Sequence, residues 1–301
     1  MPTTFVDQLR LRAIACSRWL EVGAISLTPG WIGQDSSGVS QWSQHRVVTT
    51  VQYSFNDTDR TLITGANGLA VALNMQPDDI GSIAFPFAHI AGPDYFGMML
   101  LAGFGAVLIE AFTPAGAVAA FNAHGATMAG GSTAFYQMYL AEQRKDPSTP
   151  LIPSLRKLSG GGAPMPPEVY EEVKREMGIQ ICHGYGMTEC PMIAMGSPTD
   201  TDEQLANTVG KPVEGLEMRI VTEDGSDGGA GEDGEVRVKG PMVFAGYTSA
   251  EATAESFDED GWFRTGDVGR WTEDGFLQIV DRKKDILVNS GGKNIPPANI
   301  E

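Results

Sequence analysis

Three short strings carry side chains suited to a phosphorylated, ring-bearing ligand. The first is Ser159-Gly160-Gly161-Gly162-Ala163-Pro164. Its glycines would let backbone approach a planar or anionic group closely, although the same residues also make an ordinary strand-to-helix turn. The second is His183-Gly184-Tyr185-Gly186-Met187-Thr188-Glu189. A tyrosine between two glycines offers a ring on which a base could stack, and the Thr188 hydroxyl can donate to a phosphate oxygen. Glu189 can hold Mg²⁺, which takes few protein carboxylates and fills its shell with phosphate oxygens and water. A Thr-Glu pair serves equally well as a helix cap. The third is Gly261-Trp262-Phe263-Arg264-Thr265-Gly266-Asp267, followed later by Asp281-Arg282-Lys283-Lys284-Asp285. Asp267 at a strand end can accept from two vicinal ribose hydroxyls, and Arg282 can add a planar fork of donors. The charge run 281–285 also reads as a solvated surface segment.

These strings need elements to position them, and the hydrophobic pattern supplies candidates. It predicts helices over 65–75, 96–101, 114–124, 132–142 and 166–177. It predicts short buried strands over 80–85, 106–109, 126–129, 155–158 and 179–183. Pro166 at the start and Gly178 at the end punctuate the last of those helices. The alternation reads as α/β with mostly parallel strands, in which ligands bind at the carboxyl ends of the strands. Beyond Gly196 the pattern changes to strands over 216–221, 234–238, 263–267 and 276–280, separated by Gly/Asp turns, which reads as a β-rich subdomain. Residues 1–60 show no clean period.

Composition narrows the classes. The chain has 301 residues, 42% of them hydrophobic, enough for a sizeable core. Its net charge is −17, and residues 1–60 balance five basic against five acidic side chains, so the excess lies in 61–301. That argues against general nucleic-acid binding, which wants a basic face. Three cysteines without CxxC spacing suit a reducing cytoplasm rather than a disulfide framework. Arginines at 10, 12 and 18 interrupt any signal-peptide core, and the longest apolar stretch, 95–109, is too short to span a bilayer. The expected location is the cytoplasm, with peripheral membrane contact left open.

Taken together and in this order, YGMTE, GWFRTGD and DRKKDILVNSGGKN resemble the adenylate-forming (AMP-binding) superfamily of acyl-CoA synthetases, luciferases and peptide adenylation domains, over roughly residues 58–301. The resemblance implies the large domain of that fold, α/β with a β-rich subdomain. It divides the chain into an atypical segment 1–60, a nucleotide- and acyl-binding region 61–195, a β-rich region 196–281, and a hinge with the start of a further domain at 282–301. It implies that Gly161, Gly162, Ala163 and Pro164 line an adenine on which Tyr185 stacks. Thr188 would contact the α-phosphate, Glu189 would bind Mg²⁺, Asp267 and Arg282 would hold the ribose, and Lys284 would be the hinge. His89, in Phe85-Pro86-Phe87-Ala88-His89, would border an acyl pocket lined by Gly130, Gly131, Ser132, Tyr136 and Gly184. Ser290, Gly291 and Gly292 would lie along the CoA path. NSGGKN resembles the fatty-acid type, placing the protein in lipid metabolism, and residues 187–207 are similar to bacterial synthetases for fatty, cyclohexane-type or steroid-derived acids. The implied reaction joins ATP, a carboxylic acid and CoA through an acyl-AMP, releasing AMP and pyrophosphate. The alternatives are a carrier-protein-loading adenylation domain, for which Asp94 is the nearest candidate amino-acid-binding carboxylate although a loop edge is its expected place, and a non-catalytic nucleotide-binding remnant.

Two departures stand out. The family's phosphate loop carries a lysine ahead of a segment that Gln44-His45-Arg46-Val47-Val48 resembles, yet the first lysine here is Lys145. Residues before about Gln44 are therefore expected to be out of frame or wrongly started. The small C-terminal domain is also absent, so the chain is expected to be an incomplete fragment with little adenylation activity of its own.

Overall fold

The structure, a computed structural model, describes residues 57–85, 87, 89–109, 111–282, 287–288 and 294–295. Helix α1 (Asp59–Ala72) starts six residues ahead of the predicted position, because Thr58 caps it. The Thr58 hydroxyl accepts from Thr61 N and Thr61 reciprocates on the Thr58 backbone, satisfying two donors that a helix start leaves open. Strand β1 (Ile80–Ile83), helix α2 (Ala91–Ala102) and strand β2 (Gly105–Leu108) follow, with β1 and β2 parallel. Asp94 lies in the first turn of α2 and is 2% exposed, not at a loop edge as expected. The α2 helix packs on α1 where Gly65 leaves room; a Cβ there would sit 3.2 Å from Asp94 Oδ1.

The central sheet is built from β3 (Met128–Gly131), β4 (Lys157–Gly161), β5 (Gln180–Met187), β6 (Cys190–Met195) and β7 (Lys211–Pro212), in that order. The β3-β4-β5 part is parallel, β6 runs antiparallel to β5, and β7 runs antiparallel to β6. The expected parallel rhythm thus ends at β5, because Thr188-Glu189 is a two-residue turn that sends the chain straight back. Thr127 joins β1 to this sheet: its N–H donates to Ile80 O at 2.8 Å, and its hydroxyl accepts from Ile80 N at 3.0 Å. Helices α3 (Pro114–His124), α4 (Thr133–Gln143) and α5 (Pro167–Met177) bury Phe121, Tyr136, Tyr139, Leu140, Tyr170 and Val173 against Leu158 and Ile181. Gly178, at φ 73°, ends α5 in the left-handed conformation that favours glycine.

A short helix α6 (Asp202–Asn207), which the sequence pattern had not suggested, is capped by the Thr201/Gln204 pair. The second sheet is antiparallel throughout: β8 (Glu217–Val221), β9 (Gly234–Lys239), β10 (Phe263–Trp271) and β11 (Leu277–Arg282) stand in the order β11-β10-β9-β8. Helix α7 (Ala250–Ser256), also unexpected, bridges β9 and β10 and starts on the Ser249 hydroxyl. One apolar cluster runs from Leu69, Met98 and Ile193 to Val236, Val238, Phe263 and Leu277, welding this sheet to β6 and α1. Beyond it, Leu287–Val288 pairs antiparallel with Asn294–Ile295. No described helix is long and apolar enough to cross a membrane.

Candidate functional site

Part of the first string is strand rather than loop. Ser159, Gly160 and Gly161 finish β4, and their glycines answer neighbouring backbone. A Cβ on Gly160 would lie 1.6 Å from Gly131 O, and one on Gly161 2.4 Å from Gly184 O. Only Gly162 behaves as the ligand-cradle expectation requires: φ is 77° and nothing lies within 4 Å of a Cβ there. The turn it starts is held on two sides. Thr133, first residue of α4, donates its hydroxyl to Pro164 O at 2.8 Å, and His183 Nε2 lies 2.9 Å from Ala163 O.

That carbonyl fixes the imidazole. An acceptor at Nε2 requires the proton there, leaving Nδ1 to accept from the Tyr136 hydroxyl at 3.4 Å. Burial disfavours the charged ring and pulls the His183 pKa down to about 4, against a smaller upward pull from the Ala163 carbonyl. Gly130, Gly131, Ser132, Tyr136 and Gly184 all gather here, at the carboxyl ends of β3 and β5 and the start of α4. Tyr136 itself is fully buried. His89 is exposed on the turn before α2, with Nδ1 accepting from Ala91 N.

The second string is also strand, since β5 runs through to Met187. His183 and Tyr185, two residues apart, reach different neighbours. Tyr185 crosses to the second sheet and donates its hydroxyl to Asp267 Oδ2 at 2.5 Å. Burial, then the Asp267 charge, hold the Tyr185 pKa well above the ordinary value, so the phenol stays a donor. Asp267 is 7% exposed and sits where β10 bulges, its register slipping between Arg264 and Val268. A bulge re-aims a side chain and is frequent beside functional sites. Gly266 at φ 75° makes that backbone, and Thr265 holds it by accepting from Asp267 N at 3.1 Å and donating to Val236 O at 2.8 Å. The Cα of Arg282 pairs with that of Asp267 across β10 and β11. Lys284, Ser290, Gly291 and Gly292, and the segment 44–48, lie outside the described residues.

Thr188 and Glu189 form the β5–β6 turn. Glu189 Oε1 accepts from the Tyr247 hydroxyl at 2.7 Å, and Glu189 O accepts from Phe244 N at 2.8 Å. Asp57, half-buried ahead of α1, has its carboxyl pushed up to about 6 by burial and by the Glu189 charge, and its buried Oδ1 has no hydrogen-bond partner. Sequence reasoning missed both Tyr247 and Asp57; Tyr247 is marked only by the glycine before it, and Asp57 by nothing local. The described residues contain no group of three or more metal-ligating side chains. A cation would therefore be held by one or two carboxylates and by ligand oxygens. Glu189, with Asp57's orphaned oxygen nearby, fits that requirement for a hard cation such as Mg²⁺.

All three strings thus converge on β5: Ala163 through His183, Asp267 through Tyr185, and the acidic turn at its end. Among the described residues they meet through hydrogen bonds. A hollow of about 320 Å³ lies elsewhere, lined by Asn67, Val71, Asn74 and Leu101 among others, and a second of about 170 Å³ lies beside Met195 and Val213; no motif residue lines either.

The profile of the AMP-binding enzyme family matches residues 51–248. The 2-succinylbenzoate–CoA ligase of Bacillus licheniformis is 32% identical over 301 residues, covering 100% of this chain and 59% of the relative. The long-chain-fatty-acid–CoA ligase of Yersinia pestis is 39% identical over 148 residues, 49% of this chain and 26% of the relative. Among solved structures, the O-succinylbenzoate coenzyme A synthetase (MenE) of Bacillus subtilis in complex with ATP and magnesium ion superposes with a TM-score of 0.73 at 33% identity, over 82% of this chain and 50% of that one. The chain spans about half the length of the curated 2-succinylbenzoate–CoA ligases it matches.

Proposed function

The chain belongs to the AMP-binding enzyme family, and from that premise we propose that it carries the nucleotide-binding part of an acyl-CoA synthetase. The reaction would join ATP, a carboxylic acid and CoA by way of an acyl-AMP. The observation that carries this reading is the Tyr185–Asp267 hydrogen bond, which sets the residue proposed for the base beside the one proposed for the sugar. The Gly162–Pro164 turn would face the adenine with the Tyr185 ring. Asp267, with Arg282 opposite it in the ladder, would accept from the ribose hydroxyls. Thr188 would donate to the α-phosphate, and Glu189 would hold Mg²⁺, which when bound neutralises phosphate charge. The protein's own share in attack on the α-phosphate is positioning and charge complementarity, since phosphoryl-type chemistry demands little covalent work from it.

The ligand content of the MenE structure and the ligase relatives support this substrate set. For the carrier-loading alternative, the nearest candidate amine ligand, Asp94, lies 2% exposed in the first turn of α2. Fatty acids, or other aliphatic or alicyclic acids, are the proposed acyl donors. Buried, unbridged Cys182 and Cys190 accord with the cytoplasm as the proposed compartment. Calorimetric titration with AMP tests the binding assignment: the chain should bind AMP, and a chain that folds yet ignores AMP would refute it. The 301 residues assayed by themselves should release little pyrophosphate from ATP and a carboxylic acid; release at the rate of a full-length relative would refute that.

A further inference from the structure

We propose that Tyr247 is a positioning residue that orients the Glu189 carboxylate toward a divalent cation; this rests on the proposed role of Glu189. The loop between β9 and α7 is built to deliver one hydroxyl to that carboxylate. Phe244 anchors the loop: its ring is 3% exposed and packs edge-on against Phe263 at 5.2 Å and stacked on Phe257 at 5.8 Å. From that anchor, Phe244 N donates to Glu189 O at 2.8 Å, so loop and acidic turn are already joined through backbone. Three residues on, the Tyr247 ring meets Phe244 edge-on at 4.8 Å and its hydroxyl donates to Glu189 Oε1 at 2.7 Å.

The far side of Tyr247 is held as well. Its N–H donates to Thr253 Oγ1 at 2.9 Å in α7. Gly246, at φ 131°, lets α7 close in; a Cβ there would lie 2.7 Å from Thr253 Cγ2. Tyr247 is therefore fixed by Phe244 and by Thr253, and it occupies one carboxylate oxygen of Glu189. The other oxygen, Oε2, makes no hydrogen bond to the described residues. A carboxylate pinned through one oxygen by a phenol presents its second oxygen in one direction. Outer partners of this kind set ligand orientation, and their loss costs about 10–100-fold in metal affinity.

The test is nucleotide binding with and without metal. Affinity for a non-hydrolysable ATP analogue would be measured in Mn²⁺ and in EDTA for the wild type, Tyr247→Phe, Thr253→Val and Glu189→Gln, with Mn²⁺ occupancy followed by electron paramagnetic resonance. Tyr247→Phe keeps the ring and its packing on Phe244. The expected result is a loss of about 10–100-fold in Mn²⁺ affinity, unchanged nucleotide binding in EDTA, and a smaller loss of the same kind in Thr253→Val. If Glu189→Gln abolishes the metal effect but Tyr247→Phe keeps it, or loses binding equally in EDTA, the role of Tyr247 is overturned while that of Glu189 stands. If the wild type binds nucleotide no better with Mn²⁺, or Glu189→Gln leaves the metal effect intact, the role of Glu189 falls, and the proposal with it.

Discussion

Removing the Tyr185 hydroxyl should uncouple two of the three motifs, and the size of that uncoupling follows from the structure. The bond from Tyr185 to Asp267 Oδ2 is 2.5 Å long and spans two sheets. A hydrogen bond to a charged group contributes about 1.5–3 kcal/mol. Asp267 is 7% exposed, so water replaces the lost donor poorly. Tyr185→Phe keeps the ring, and Asp267→Ala removes the acceptor. Urea unfolding of the wild type, both single variants and the double variant should give a coupling energy of about 1.5–3 kcal/mol. The slope of free energy against urea should stay constant, since neither change alters the surface exposed on unfolding by much. A coupling below about 0.5 kcal/mol, the usual limit for independent sites, would mean that the second and third strings do not touch, and the site as described would fail.

Two buried groups should tilt stability with pH in opposite directions. His183 is held neutral, its pKa lowered from 6.5 to about 4 by burial; the unfolded chain takes up a proton below 6.5 and the folded chain does not. Stability is thus lost as pH falls from 6.5 toward 4, by about 3 kcal/mol, and His183→Gln should flatten that slope in urea melts at pH 4.5 and 7. Burial raises the Asp94 carboxyl from 3.8 to about 7, so the folded chain keeps a proton that the unfolded chain releases. Stability is lost as pH rises through that window, and Asp94→Asn should gain on the wild type between pH 4 and 8, by about 4 kcal/mol at most; no gain would contradict the burial of an unpartnered Asp94 Oδ1. Gly160→Ala should destabilise the chain by more than about 3 kcal/mol, the upper range for ordinary overpacking, because its Cβ would fall 1.6 Å from Gly131 O. Melting at the wild-type temperature would show the strand spacing to be wrong.

The α/β alternation was legible because its strands are short apolar runs and its helices carry their own punctuation, such as Pro114 with Gly125 and Pro167 with Gly178. The four strands of the second sheet were legible for the same reason, set off by Gly/Asp turns. Strand ends were not. Glycine-rich sequence reads as loop, yet Gly160, Gly161, Gly184 and Gly186 stand in or beside a ladder where crowding by neighbouring backbone or Met195 excludes a Cβ. The reversal at Thr188-Glu189 was hidden too, because Cys190–Met195 has the apolar character of a buried parallel strand and nothing local says that it runs the other way. For the site, the residue types in the three strings suggested base, sugar and phosphate handling. The partners Tyr247 and Asp57 come from 58 and 132 residues away from Glu189 and carry no local mark. The burial of Asp94 was equally invisible, since it depends on Gly65 admitting α2 against α1.

The central claim is that an adenine nucleotide lies where β5 meets the Gly162 turn and the Asp267 bulge. Photolabelling of the purified chain with 8-azido-AMP, followed by peptide mapping, tests this directly. The label should fall on peptides containing residues 160–164 or 183–189, be displaced by excess AMP, and disappear in Asp267→Ala. Label that AMP does not displace, or that lands on the α1–α2 hollow around Asn67 and Leu101 instead, would contradict the account.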